Sequence, residues 1–280
     1  MKKTKTKVVL LLLQPTLLSI AGSDSSGGAG IQADLKTMTS IGVYGAAAIT
    51  CLTVQNSHGV QEIKPLSADF IRAQIRAVLE DHDVTHIKIG MTGNAQILHC
   101  LASLLHPFTG EVIYDPVLAS TTGDSLLKID ALSALKEELL PVISYLTPNT
   151  SELQLISNKS IATGNDAIDC AKLLLNKYPQ MKAIVVKGGH LEESDLNVYD
   201  FLVQPGETVC ESKRTRLQNP NLHGTGCTYS SALASYLCIG NDVVTAFMMA
   251  GEYMDKIIKA GQNKSAATSR SNGPLLHFLP

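Results

Sequence analysis

The chain has 280 residues and is 45% hydrophobic, enough to bury one large core, so a single domain is expected. Its 23 basic and 25 acidic residues are scattered along the sequence and leave a net charge of −2, which excludes a basic stripe for nucleic acid or an anionic membrane. Six cysteines (Cys51, Cys100, Cys170, Cys210, Cys227 and Cys238) lie far apart without a C-x-x-C pair, so neither a zinc site nor a redox pair is indicated and a reducing cytoplasm fits.

Residues 1–16 read as an extension outside the core. Four lysines followed by an apolar run imitate a secretory signal, but the run breaks at Gln14 and Pro15, too short to span a bilayer. Cleavage near Ala21 would also remove a strand at 17–20, so the expectation is that no cleavage occurs. From there, strands are expected at 17–20, 46–54, 86–89, 112–114, 144–146 and 183–186. Helices alternate with them at 30–40, 68–79, 95–105, 131–139, 151–156 and 166–177. Residues 197–203 and 208–216 read as an antiparallel excursion, and helices at 227–237 and 243–259 follow. This is the α/β pattern of parallel strands joined by crossover helices, in one domain over 17–280.

Each cluster of glycine and polar residues follows a strand: GSDSSGGAG, QN, GM, DP, TPN and KGG. In a parallel sheet those strand ends share one edge, where ligands bind at the reversal of strand order. Turn chemistry explains any one cluster but not the whole set. Gly28 to Ala33 satisfies a dinucleotide-binding glycine pattern, yet no acid lies between Asp34 and Glu62 to hold a ribose, and no P-loop motif is present. The run His223-Gly224-Thr225-Gly226-Cys227 before an apolar helix suits an anion, because crowded backbone N–H groups at a helix N-terminus favour negative charge. Cys227, in that first turn, is expected to have a lowered thiol pKa, and a proton acceptor and a packing cysteine are equally balanced on chemistry alone. Asp115, Asn149 and Glu152 offer hard oxygen ligands of the kind Mg²⁺ prefers, or serve as turn and cap residues. Lys187, leaving a strand before two glycines, is placed to reach phosphate oxygens. Histidines 58, 82, 86, 99, 106, 190 and 277 show no ligand spacing.

Taken in order, SIAGSDSSGGAGIQADLKT, VQNSHGV, KIGM, DPV, TPNTSE, VVKGGHL, HGTGCT and GPLLHF resemble the hydroxymethylpyrimidine/phosphomethylpyrimidine kinases of thiamine biosynthesis, members of the ribokinase-like fold. The resemblance implies a three-layer α/β/α sandwich with a central, mostly parallel sheet. It implies ATP and Mg²⁺ as cosubstrates, successive phosphorylation of the pyrimidine and its monophosphate, and a homodimer in the cytoplasm. By position it implies that Asp34 and Gln55 bind the aminopyrimidine, with Gly22, Met91 and Val117 lining the pocket. Asn149 and Glu152 match the metal motif, Lys187 the residue near the ATP phosphates, Gly224, Thr225 and Gly226 the anion hole, and Cys227 the catalytic base. The run after DPV departs from the family pattern, with Leu118-Ala119-Ser120-Thr121-Thr122-Gly123 lacking the usual basic residue, and Thr92 and Thr150 replace common leucines. Pyridoxal kinase is the rival of the same fold, and a non-catalytic pyrimidine or nucleotide sensor the rival of another class. Retention of base, metal motif and anion loop together speaks against the sensor.

Overall fold

A computed structural model describes residues 15–56, 59–118, 129–189, 196–206, 208–217, 223–261 and 275–277. Among the described residues, nine strands form one sheet in the order β3-β2-β1-β4-β5-β6-β7-β8-β9. They are β1 (Thr16–Asp24), β2 (Tyr44–Asn56), β3 (Gly59–Pro65), β4 (Val84–Ile89), β5 (Glu111–Tyr114), β6 (Tyr145–Leu146), β7 (Ala183–Val186), β8 (Asn197–Val203) and β9 (Val209–Thr215). The six strands expected from the sequence are mutually parallel; β3 and β8 run antiparallel to them, and the edge strand β9, antiparallel to β8, returns to their direction. Strand order reverses at β1, which pairs with β2 on one side and β4 on the other.

Two-residue alternation divides the sheet's apolar residues between two helical layers. Leu18, Ile20, Ile87, Ile89, Val112 and Tyr114 pack on α2 (Ala68–Asp81), α3 (Ala95–Leu105), α4 (Ile129–Ala134), α5 (Thr150–Ser157) and α6 (Gly164–Lys177). Leu17, Ile113, Ala183 and Val185 pack on α1 (Gly30–Ile41), α7 (Thr225–Cys238) and α8 (Val243–Gly261), where Leu275 joins them. The helices start where the sequence supplies caps: the Ser67 side chain accepts from Phe70, Asn94 from Ile97, and Thr163 forms a reciprocal capping box with Asp166. The result is the α/β/α sandwich expected from the sequence, with the excursion at β8 and β9.

Three local expectations differ. β3 is an unexpected strand, because its largely exposed residues carry no buried face from which alternation can be read. The helix expected at 131–139 is α-helical only to Ala134 and continues as a π turn over Leu135–Leu139. The strand at 144–146 is reduced to two residues. Residues 1–14 of the N-terminal extension, and residues 119–123 of the segment that departs from the family pattern, lie outside the described residues.

Candidate active site

The C-terminal ends of the parallel strands gather the six polar loops, and α7 enters from the opposite layer. Gly224 starts α7 with φ +85°, and a Cβ there would collide with the carbonyl oxygen of Gly28. Glycine at 224 therefore lets the first and last glycine-rich loops pack backbone to backbone. No side chain caps α7, so the helix start keeps a surplus of N–H donors, the physical requirement for an anion seat. A Cβ on Gly226 would lie 3.4 Å from Lys187 Nζ, which puts the ammonium beside that seat.

Lys187 Nζ donates to Asp115 Oδ1 at 2.6 Å and lies 4.0 Å from Glu152 Oε2. Asp115 also accepts from Ser230 on α7 at 3.1 Å and Thr147 at 3.3 Å. Burial opposes ionisation of Asp115, but Lys187 and Lys88 outweigh it and hold the carboxyl below its ordinary range. Burial pushes the Glu152 carboxyl up to about 7, Lys187 opposing the rise and Asp115 adding to it. In this state Asn149 and Glu152 form the capping box of α5: Glu152 N–H donates to Asn149 Oδ1 at 2.8 Å, and Asn149 N–H to Glu152 Oε2 at 2.7 Å. Behind Lys187, Gly188 N–H donates to Asp200 at 2.9 Å, and Arg214 pairs with Asp200, bracing the KGG loop.

Cys227 occupies the first turn of α7, as expected, but its thiol does not titrate as that position suggested. Burial pushes it up to about 11; Lys88 pulls down, while Asp115 and Asp34 add to the rise. Desolvation and two carboxylates outweigh the helix terminus.

Asp34 is likewise placed differently from a pyrimidine-binding residue. It has no exposed surface, and its carboxylate accepts from Ser19 at 2.6 Å, Ser231 at 2.6 Å and Lys88 at 2.9 and 3.0 Å. Four bonds satisfy it without a ligand, so in this structure Asp34 ties α1 to β1, β4 and α7. Gly22 is buried where a Cβ would lie 2.8 Å from Cys51 Sγ and 3.4 Å from Met91 Sδ, so glycine lets the two sulfurs pack directly against the backbone. Val117 is half-buried after β5, and the half-buried Gln55 ends β2.

Sequence reading gave no role to Lys88 or Asp24 and took His223 only as the start of the anion run. Lys88 stands in a strand whose both faces are covered by helices, and a cation there needs a buried partner; that rule was the available signal. Asp24 organises the first loop by accepting from the N–H groups of Ser26, Gly28 and Ala29 at 2.8, 3.0 and 2.8 Å. His223 lies within 3.0 Å of Asp24 Oδ2 and 3.1 Å of Gln55 Nε2.

An uncapped helix start beside a lysine–carboxylate cluster, at the C-terminal edge of a parallel sheet, is an arrangement that suits a small-molecule kinase on an α/β sandwich. The sequence profile of the phosphomethylpyrimidine kinases matches residues 24–275, and the chain belongs to that family. A hydroxymethylpyrimidine/phosphomethylpyrimidine kinase of Rhizobium meliloti is 41% identical over 93% of this chain and 96% of its own length. Among solved structures, the phosphomethylpyrimidine kinase of Clostridium difficile superposes with a TM-score of 0.75 at 35% identity, covering 86% of this chain and 98% of that one. The pyridoxal kinase of Bacillus subtilis, solved as an ADP complex, superposes with a TM-score of 0.82 at 32% identity, covering 94% and 97%. No helix among the described residues is long and apolar enough to cross a membrane.

Proposed function

We propose that this kinase transfers the γ-phosphoryl group of ATP to the hydroxymethyl group of 4-amino-5-hydroxymethyl-2-methylpyrimidine, and then phosphorylates the monophosphate, supplying the diphosphate for thiamine biosynthesis. The observation that carries this reading is the contact at 3.1 Å between Gln55, which closes the ring pocket, and His223, which leads into the anion loop. It puts a heterocycle reader and a phosphoryl seat side by side. The names of the relatives point to the same chemistry, and the ADP complex of a related fold supports ATP as donor.

In this reading Gly224, Thr225 and Gly226 hold the phosphoryl group, Lys187 neutralises it, and Gly22, Gln55, Met91 and Val117 enclose the ring. Asp115, Asn149 and Glu152 would hold Mg²⁺, and their oxygen set fits it: the ammonium of Lys187 already stands as a cation between the two carboxylates. When bound, the ion supplies charge compensation to the phosphate oxygens. Cys227 takes the proton from the substrate hydroxyl. A homodimer belongs to the same reading, and the exposed row Tyr44, Leu52 and Val54 along β2 offers an apolar face for it. The free cysteines accord with a reducing cytoplasm.

ATP consumption measured with the hydroxymethylpyrimidine, its monophosphate and pyridoxal tests the substrate: the pyrimidines should show the higher kcat/KM, and a preference for pyridoxal overturns the reading. Cys227→Ala should lower kcat by about 10²–10⁴-fold in a folded protein. Because the thiol titrates near 11, its ionised fraction grows with pH, so wild-type kcat should climb through the neutral range. Cys227→Asp, whose carboxyl ionises at far lower pH than a thiol in the same surroundings, should retain more activity than the alanine variant and flatten that slope. A folded Cys227→Ala enzyme with wild-type kcat would reduce Cys227 to a packing residue.

A further inference from the structure

We infer that His223 fixes which way round the Gln55 side-chain amide faces, and so makes the pocket select an aminopyrimidine over a pyridoxal-type ring. The inference rests on the substrate pocket proposed above and assigns a residue outside it.

The argument is an inventory of protons. The Asp24 carboxylate already accepts from the Ser26 hydroxyl and from the N–H groups of Ser26, Gly28 and Ala29, so it is an acceptor only. Burial alone would raise its pKa, but the bonds from His223, Ser26 and Ala29 bring it down to about 2. His223 Nε2, 3.0 Å from Asp24 Oδ2, must therefore carry a proton, whichever charge state the ring adopts. A protonated Nε2 cannot accept from an amide N–H.

The oxygen and nitrogen of a side-chain amide are assigned from their hydrogen-bond partners. With the Gln55 nitrogen turned to His223, two donors face each other at 3.1 Å. On the other side, the single hydroxyl proton of Thr53 would be shared between the Ser23 carbonyl at 2.9 Å and the Gln55 oxygen at 3.1 Å. Reversing the amide removes the clash of two donors and frees the Thr53 proton for Ser23, with the one His223 N–H bifurcated between two acceptors. His223 Nε2–H then donates to both Asp24 and Gln55 Oε1, Thr53 donates to Ser23, and Gln55 Nε2–H donates to Thr53 Oγ1. Gln55 is left with a free acceptor on the side of the anion loop and a free donor on the side of β2.

That order suits only one of the two rings. The hydroxymethyl carbon must face Cys227 and the anion loop for phosphoryl transfer. In the pyrimidine the neighbouring ring carbon bears the amino group, and a ring nitrogen follows. The amino N–H meets Oε1, and the ring nitrogen meets Nε2–H. In pyridoxal one neighbouring carbon bears an aldehyde, which sets an acceptor against the Gln55 oxygen, and the other bears only hydrogen, which offers that oxygen no donor. His223 is a positioning residue, acting on the substrate through Gln55.

The test measures selectivity, which cancels any general disturbance of the adjoining anion loop. His223→Phe keeps a ring without a donor and lets the amide turn, so the ratio of kcat/KM for the hydroxymethylpyrimidine to that for pyridoxal should fall about tenfold. The penalty for deleting the amino group, measured with 5-hydroxymethyl-2-methylpyrimidine, should shrink in the variant. Thr53→Val removes the acceptor at the other end of the amide, away from the phosphate loop, and should shift selectivity the same way if His223→Phe fails to fold. An unchanged ratio and an unchanged amino-group penalty in a folded variant overturn the assignment while leaving the proposed activity intact. Wild-type enzyme that does not turn over the hydroxymethylpyrimidine overturns the activity itself, and the assignment with it.

Discussion

Lys88–Asp34 and Lys187–Asp115 are both lysine–carboxylate pairs buried near the C-terminal edge of the same sheet, yet their surroundings set them apart. Lys88 and Asp34 have no exposed side-chain surface, and Ser19 and Ser231 complete the carboxylate's bonds. Lys187 is 14% exposed at the anion seat, and Glu152 stands beside it with a carboxyl that burial keeps near 7. The first pair is closed, with its charges spent on each other. The second is partly exposed, and in the proposed function it exchanges its partners for phosphate oxygens and a metal. Cys227 lies in the field of both lysines. A buried ion pair is thus a fastening or a working part according to whether its remaining hydrogen-bond positions are filled.

Breaking the closed pair should have the largest effect. Lys88→Met leaves Asp34 charged in a sealed site and should destabilise the fold by about 3–5 kcal/mol, read by urea unfolding. Lys88→Met combined with Asp34→Leu should recover much of that loss, because no orphan charge remains; a single variant as stable as wild type would show that the pair is not closed.

The open pair should respond in rate rather than in fold. Lys187→Met should lower kcat by about 10²–10³-fold, the size typical for loss of a group that stabilises transition-state charge. Its unfolding midpoint should fall much less than that of Lys88→Met. Equal losses of stability from the two lysines would erase the distinction.

Gln55→Leu removes a polar reader from the neutral side of the site, worth about 1–3 kcal/mol. It should raise KM for the pyrimidine far more than KM for ATP, since β2 carries none of the phosphate loops. Matching changes in both constants would mean that the ring binds elsewhere.

The last contrast concerns the pH dependence of Glu152. Its folded pKa, about 7, lies above the ordinary 4.5, so the folded state holds its proton longer than the unfolded state does. Stability from this group is therefore lost as pH rises from 4.5 toward 7. Glu152→Gln keeps a side chain able to cap α5 and cannot ionise. Thermal unfolding should show the variant gaining on wild type between pH 5 and pH 8, and a constant difference would place the carboxyl at its ordinary pKa.

Much of this arrangement was legible in the sequence. Alternating apolar strands and amphipathic helices set the parallel sheet, and the polar cluster after each strand set the edge at which the loops meet. Asn149 and Glu152 were readable both as metal ligands and as a helix cap, and in this structure they form the cap. The side-chain partners were not legible. Asp34 and Lys88 are separated by 54 residues, and Gln55 and His223 by 168. The Cys227 thiol shows the same limit: its place in the first turn of a helix was readable, but its rise to about 11 comes from burial and from Asp115 and Asp34 on other elements. Local sequence determines helix, strand and turn because caps, periodicity and glycine act over a few residues. Tertiary structure alone decides pairing and titration, because burial and Coulomb interactions depend on distances between loops that meet only when the sheet is assembled.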